Sequence, residues 1–278
     1  MVLKGISKAG LGDIRNDEQY IRQAASLGFE AVDFDAQDFV EAYGLEKAKK
    51  ILSDNQVVLG SIALPVEWRG TKEEFNRDLL KLPSAAKAAQ DLGCTRCMTY
   101  ILPSTDEPSA QFMAASIYRL RVCAEILAVY DLKLGLEYVG PKHLRSMMKN
   151  PFIWTQEETL AMIQAIGSPN VGLVLDSYHW YTNGMDTEDI TSLTADQIIY
   201  VHLNDAPSIP IDEVKDNERL YPGEGVIDLK AFLKAVTNTG YTGPVTQEVL
   251  RAVSEEETVE ELLQRSATGY KKVFQSIQ

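Results

Sequence analysis

Four polar side chains close runs of sequence that are otherwise apolar. Glu137 ends KLGLEYV, Asp176 ends VGLVLD, His202 lies in IIYVHLND and Glu248 lies in PVTQEVL. A carboxylate taken out of water must find a partner. Three that converge repel one another, so that either their pKa values rise or a cation joins them. A divalent metal resolves the conflict. Three carboxylate oxygens and one imidazole nitrogen suit Mn²⁺, Mg²⁺, Co²⁺ or Zn²⁺, and the oxygen-rich set favours Mn²⁺ first, or Mg²⁺, over a thiolate-type zinc site. Four ligands leave positions open for substrate or water. Taken singly, each residue has an ordinary reading: a salt-bridge partner for Glu137, a turn cap for Asp176, a hydrogen-bonded core histidine for His202, an exposed strand-end charge for Glu248. Their recurrence at matching ends of successive runs favours the metal.

A second patch, Glu67, Trp68 and Arg69, places an aromatic ring beside ionic groups. That combination suits a sugar, which has an apolar face and many hydroxyls; the plain alternative is a loop tryptophan packed on a helix. Tyr138 and Trp180 are further candidates to line a pocket. Cys94 and Cys97 form C-x-x-C, but on a strand this spacing points the two thiols to opposite faces. The chain holds no G-x-S-x-G and no P-loop.

These residues must be positioned by a repeating unit: a short apolar β-branched run, a polar or Gly/Pro-bearing loop, then an amphipathic helix. Strands are expected at Leu3–Ser7, Ala31–Asp35, Val57–Leu64, Cys94–Leu102, Leu132–Val139, Val171–Asp176, Ile198–Asn204 and Val245–Val249. Helices are expected at Glu18–Leu27, Leu45–Asp54, Glu73–Leu92, Ala110–Tyr130, Thr155–Ile166, Leu229–Thr239 and Glu255–Phe274, with a less distinct one after the sixth strand. Strands alternating with helices pair in parallel, because parallel neighbours need a long crossover. Eight such units predict an α/β fold, a single (β/α)8 TIM barrel over residues 1–278, whose chemistry sits at the C-terminal ends of the strands. Glu137, Asp176, His202 and Glu248 fall at that end of strands five to eight. The competing open doubly wound sheet usually carries a Gly-rich turn after its first strand; here KAGLGD has Gly10 and Gly12 without the third glycine.

The chain has 278 residues, with 27 Lys and Arg against 40 Asp and Glu, a net charge of −13. Such acidity repels phosphate backbones and argues against nucleic-acid binding. No apolar run is long enough for a membrane span, Met1–Gly12 has no long apolar stretch of the signal-peptide kind, and three cysteines fit a reducing compartment. The expectation is a cytoplasmic protein acting on a small molecule.

At its four strand-end residues the sequence resembles the xylose isomerase-like barrel superfamily, also called sugar phosphate isomerases/epimerases. That family's ligands are Glu, Asp, His and Glu on strands five to eight, and Glu137, Asp176, His202 and Glu248 match them one by one. The likeness is nearest to the 2-keto-myo-inositol isomerase branch, through LGLEYVG, NVGLVLDSYHW, IIYVHLNDAP, RLYPGEGVIDL and VTQEVL; the N-terminal half matches in layout only. The resemblance implies a metal-dependent isomerase or epimerase that acts on a keto-sugar or inosose through an enediolate, with Glu137 and Glu248 as the acid/base pair. It further implies that His179 touches substrate or lies near the metal, and that Arg219 binds substrate oxygens. The ordinary alternative for Arg219 is a surface ion pair with Glu218 or Asp216. Homo-oligomers are common in the family.

One position departs from the ketose 3-epimerase branch: where that branch has a second glutamate, six residues after the strand-five ligand, this chain has His143. A histidine near a metal suits a general base. It also resembles a feature of metal-dependent C-glycoside deglycosidases on this scaffold, so a lyase acting on a 3-oxo-glycoside, with His143 as base and a small partner subunit, is the alternative activity. A DNA-repair endonuclease fits poorly with three histidines and the acidic charge. A non-catalytic sugar-binding barrel would have no need of an intact ligand set.

Overall fold

Eight parallel stretches form one sheet that begins and ends on the same piece of chain. A computed structural model describes residues 2–275. Its strands are β1 (Leu3–Ile6), β2 (Ala31–Val32), β3 in two pieces (Val58–Leu59 and Ile62–Ala63), β4 (Arg96–Ile101), β5 (Lys133–Tyr138), β6 (Val171–Asp176), β7 (Ile198–Leu203) and β8 (Pro244–Gln247). The order around the sheet is β3-β2-β1-β8-β7-β6-β5-β4-β3, with the two pieces of β3 at its two ends. This is the expected closed (β/α)8 barrel. Every residue of β6 and β7 is buried, because helices cover their outer face and neighbouring side chains fill the inner one.

The third strand is broken where a continuous one is expected. At the break, Gly60 N–H donates to Val32 O at 3.0 Å and Ser61 N–H to Asp33 Oδ1 at 3.1 Å, so the chain finishes its β2 pairing before taking up β4. A Cβ on Gly60 would lie 2.4 Å from the Tyr200 hydroxyl and 2.6 Å from Asp33 Oδ1. Only glycine fits that approach.

Most expected helices form, with identifiable starts. Asn16 caps Asp17–Ser26, and Thr155 with Glu158 forms a capping box on Gln156–Ile166. The expected helix Glu73–Leu92 is two, Lys72–Leu79 and Leu82–Asp91, because Pro83 in the first turn of the second piece has no N–H to continue the first. The last helix runs Val259–Gln275 rather than from Glu255, capped by Thr258, whose Oγ1 accepts from Glu261 N–H. Glu257 precedes it and pairs with Arg251 at 2.9 Å. Short helices at Ala36–Tyr43, Lys142–Arg145, Ser177–Thr182 and Thr187–Thr191 complete the βα connections, and an antiparallel pair, Ser104–Thr105 with Asn150–Pro151, ties the loops after β4 and β5.

Candidate metal centre and active-site cavity

The four strand-end residues meet. Asp176, the last residue of β6, stands opposite His202 of β7, and Glu137 of β5 opposite Tyr100 of β4. Glu248 follows β8 directly, its N–H donating to Leu203 O at 3.2 Å. One ligand atom from each of Glu137, Asp176, His202 and Glu248 lies within 4.8 Å of the others. His202 Nδ1 is 2.8 Å from Glu137 Oε1, 3.4 Å from Glu248 Oε2 and 3.8 Å from Asp176 Oδ2. Nε2 is buried without a hydrogen-bond partner among the described residues, so Nδ1 is the nitrogen turned to the carboxylates.

The electrostatics are those of a cation site. Burial alone would push the His202 imidazolium down, yet Glu248, Glu137 and Asp176 together raise it to about 10. Burial raises the Glu137 carboxyl, reinforced by Glu248 and Asp176 and opposed by His202. Asp176 is held well below the usual carboxylate range despite burial, chiefly by Arg219. Three convergent carboxylates that force a proton onto their imidazole are the donor set a hard divalent ion requires, and the residues present fit one.

Arg219 belongs to this cluster; its ion pair with Asp216 forms, but buried rather than at the surface. It is buried, and its Nη1 donates to Asp176 Oδ2 at 2.8 Å and Glu248 Oε2 at 3.0 Å, its Nη2 to Asp216 Oδ1 at 2.8 Å. Glu218 pairs instead with Lys215. Asn204, invisible as a site residue in the sequence, donates from Nδ2 to both Asp176 oxygens at 3.1 Å and to Glu248 O at 3.1 Å. It thereby fixes two ligands to each other, and only its HLND context next to His202 hints at it. His179 lies on the short helix after β6, capped by Asp176, whose Oδ1 accepts from Tyr178 N–H at 2.6 Å. Both His179 ring nitrogens face donors, Gly140 N–H at 3.2 Å from Nδ1 and Arg219 Nη2 at 3.3 Å from Nε2, and a neutral ring accepts from one of the two.

Above the cluster opens a cavity of about 630 Å³. Glu137, Glu248, His179 and Arg219 line it, as do the exposed His143 on the loop after β5 and Tyr100, which sequence reading missed. Trp68 and Glu67 do not line it. The Trp68 ring is fully buried, its indole N–H donating to Thr99 Oγ1 at 2.9 Å and its face stacked on Phe112. Glu67 chelates the Arg69 guanidinium at 3.1 and 3.2 Å. The patch acts indirectly: Arg69 lies 5.2 Å from the Trp68 ring and 4.2 Å from the Tyr100 ring and donates to Tyr100 O, so it props the residue that does face the cavity. Tyr138 and Trp180 are likewise packing residues, bonded to Met185 Sδ and Asp186 O. The C-x-x-C pair is two buried free thiols.

Residues 21–268 match the xylose isomerase-like TIM barrel family, and the chain belongs to that family. A xylose isomerase domain protein from Alicyclobacillus acidocaldarius superposes with a TM-score of 0.91 at 30% identity, over 100% of this chain and 99% of that one. Ketose 3-epimerase from Arthrobacter globiformis is 32% identical over 255 residues, 88% of this chain and 81% of its own. Inosose isomerase from Bacillus subtilis (strain 168) is 31% identical over 150 residues, 54% of this chain and 51% of its own. The chain spans about half the length of the inosose isomerases it matches.

Proposed function

We propose that this protein is a divalent-metal-dependent isomerase or epimerase that moves a proton on the carbon beside the carbonyl of a keto-sugar or inosose. The observation that carries the reading is the convergence of four ligand atoms within 4.8 Å under an open cavity. The names of its relatives, inosose isomerase and ketose 3-epimerase, support the reaction and substrate class.

Glu137, Asp176, His202 and Glu248 would hold the ion, and the oxygen-rich set favours Mn²⁺. Once bound, it would supply Lewis-acid polarisation of a carbonyl and its neighbouring hydroxyl. The chain's own residues do the rest. Arg219 offsets the burial of Asp176 and holds its carboxyl below the usual range, and it also donates to Glu248. β5 and β8 are the outer two of four adjacent strands, so Glu137 and Glu248 approach from opposite sides, the arrangement needed to take a proton from one face and return it to another. Burial that raises the Glu137 carboxyl suits it to carry a proton. Glu248, partly exposed to the cavity it lines, suits removal. Arg219, with its donors on Asp176, Glu248 and Asp216, and His179 beside it, shape the floor of the cavity and set its charge; His143, exposed on the rim, orients the outer part of the substrate. Three free thiols accord with a reducing, cytoplasmic setting.

The test is mass spectrometry of inososes and ketoses incubated with Mn²⁺-loaded protein in D₂O. The expected result is deuterium gain in a mass-conserved product, slowed about 10²–10⁴-fold in Glu248→Gln. No exchange on any member of the panel, or a Glu248→Gln variant as fast as wild type, rejects the reading.

A further inference from the structure

Asp176 and Glu248 are held from behind by hydrogen-bonding side chains, Arg219 on both and Asn204 on Asp176. His202 is not. Its Nδ1 faces the carboxylates, and Nε2 is buried without a hydrogen-bond partner among the described residues. A histidine that ligates a metal ordinarily donates from its second nitrogen to an oxygen, and that bond fixes the plane of the ring. Here another contact must fix it. Tyr200, two residues earlier on the same face of β7, meets the imidazole at 84° with ring centroids 5.6 Å apart.

Tyr200 is itself held at its far end. Its hydroxyl lies 2.7 and 2.9 Å from the two oxygens of Asp33, where β2 ends, and 2.6 Å from Thr246 Oγ1 on β8. The phenol has one proton; with that given to Asp33, the Thr246 hydroxyl donates to the phenol oxygen. Thr246 pairs with His202 in the β7–β8 register. A Cβ on Gly5 would lie 2.1 Å from Thr246 Oγ1, so the neighbouring strand leaves room for this hydroxyl. Tyr200 and Thr246 are fully buried. Barrel interiors are filled mainly by branched aliphatic side chains. Phe and Val would fill the same space without taking two hydroxyls out of water, so packing alone does not call for the polar triad.

We infer that Tyr200 is a positioning residue of the metal centre: Asp33 and Thr246 pin its hydroxyl, and its ring fixes the plane of the His202 imidazole. The inference rests on the metal centre proposed above. A pinned ring keeps Nδ1 aimed at the point where the three carboxylates converge. Released at the hydroxyl, the ring tilts and the imidazole tilts with it.

Three variants test this. Tyr200→Phe keeps the ring and removes the pin, Thr246→Val removes one hydroxyl at constant shape, and Thr246→Ser keeps that hydroxyl. Mn²⁺ is titrated calorimetrically into the metal-free protein and each variant, and the visible absorption bands of the Co²⁺-loaded forms report ligand geometry. The expected result is Mn²⁺ bound about tenfold or more weakly by Tyr200→Phe and Thr246→Val, with altered Co²⁺ bands. Thr246→Ser should match wild type in both. A purely structural triad would lower the urea midpoint and move neither readout. Wild-type affinity and bands in both Tyr200→Phe and Thr246→Val overturn the inference and leave the metal centre standing. A wild-type protein that binds no Mn²⁺ rejects the centre itself, and the inference with it.

Discussion

Asp33 sits where β2 ends, and its Oδ1 accepts from Ser61 N–H at 3.1 Å and from the Tyr200 hydroxyl at 2.7 Å. The same hydroxyl lies 2.6 Å from Thr246 Oγ1, and the Tyr200 ring meets His202 edge-on. Burial pushes the Asp33 carboxyl up to about 7, against the lowering influence of the Tyr200 hydrogen bond. A carboxyl raised in this way holds its proton more tightly folded than unfolded, so stability falls as pH rises from about 4 to about 7. Asp33→Asn removes that slope: relative to wild type, the variant should gain at least about 1 kcal/mol between pH 5 and pH 8, read from urea denaturation at both. A difference independent of pH refutes the assignment. Sequence reading found Glu137, Asp176, His202 and Glu248 because a charge at the end of an apolar run is conspicuous. It missed Asp33 and Asn204 because what makes them matter is a partner on another strand. It left Trp68 open between a pocket and a packing role, because an aromatic beside charges looks the same whether it faces a ligand or a helix.

At the level of elements, the loop after β7 hangs on one side chain. Asp205 Oδ1 accepts from the N–H groups of Ala206 and Ile227, and Oδ2 from those of Gly223 and Gly225, all at 2.9–3.0 Å. A Cβ on Gly225 would come within 2.1 Å of Ala206 O, so the PGEG turn is glycine-dependent because it folds against its own anchor. The outer face of the loop is latched to the last helix by Arg265 on Glu224. Between the two ends of this loop lie Asp216 and Arg219. Asp205→Ala therefore leaves four backbone donors without their acceptor and should destabilise by about 2–4 kcal/mol, with new protease cleavage around Gly223 and weaker metal affinity; a variant with wild-type urea midpoint and digestion pattern contradicts this. The barrel units were legible because their apolar runs and helical periodicities alternate. The break in β3 and the split at Pro83 were not, since each depends on a neighbour's hydrogen bonds or on a turn that hydrophobic patterning does not register.

For the whole molecule, metal and fold should be linked. Four ligands from β5, β6, β7 and the end of β8 bind together only in the folded barrel. Mn²⁺ at about a hundredfold excess over its dissociation constant should add about 2.7 kcal/mol and raise the melting temperature by a few degrees. A Glu137→Gln/Asp176→Asn double variant should show no such rise; an equal rise in that variant would place the ion elsewhere. The closure of the sheet carries a further consequence for how the molecule comes into being. Leu3 of β1 is paired with Pro244 of β8, so the ring is sealed between the first and the last strand of the barrel. Until β8 pairs with it, β1 presents an open edge to any strand that will pair with it, and closing the ring requires a contact between distant parts of the chain, the kind that forms slowly in general. The four-residue set is complete only then, because Glu248 arrives with the same segment that shuts the ring.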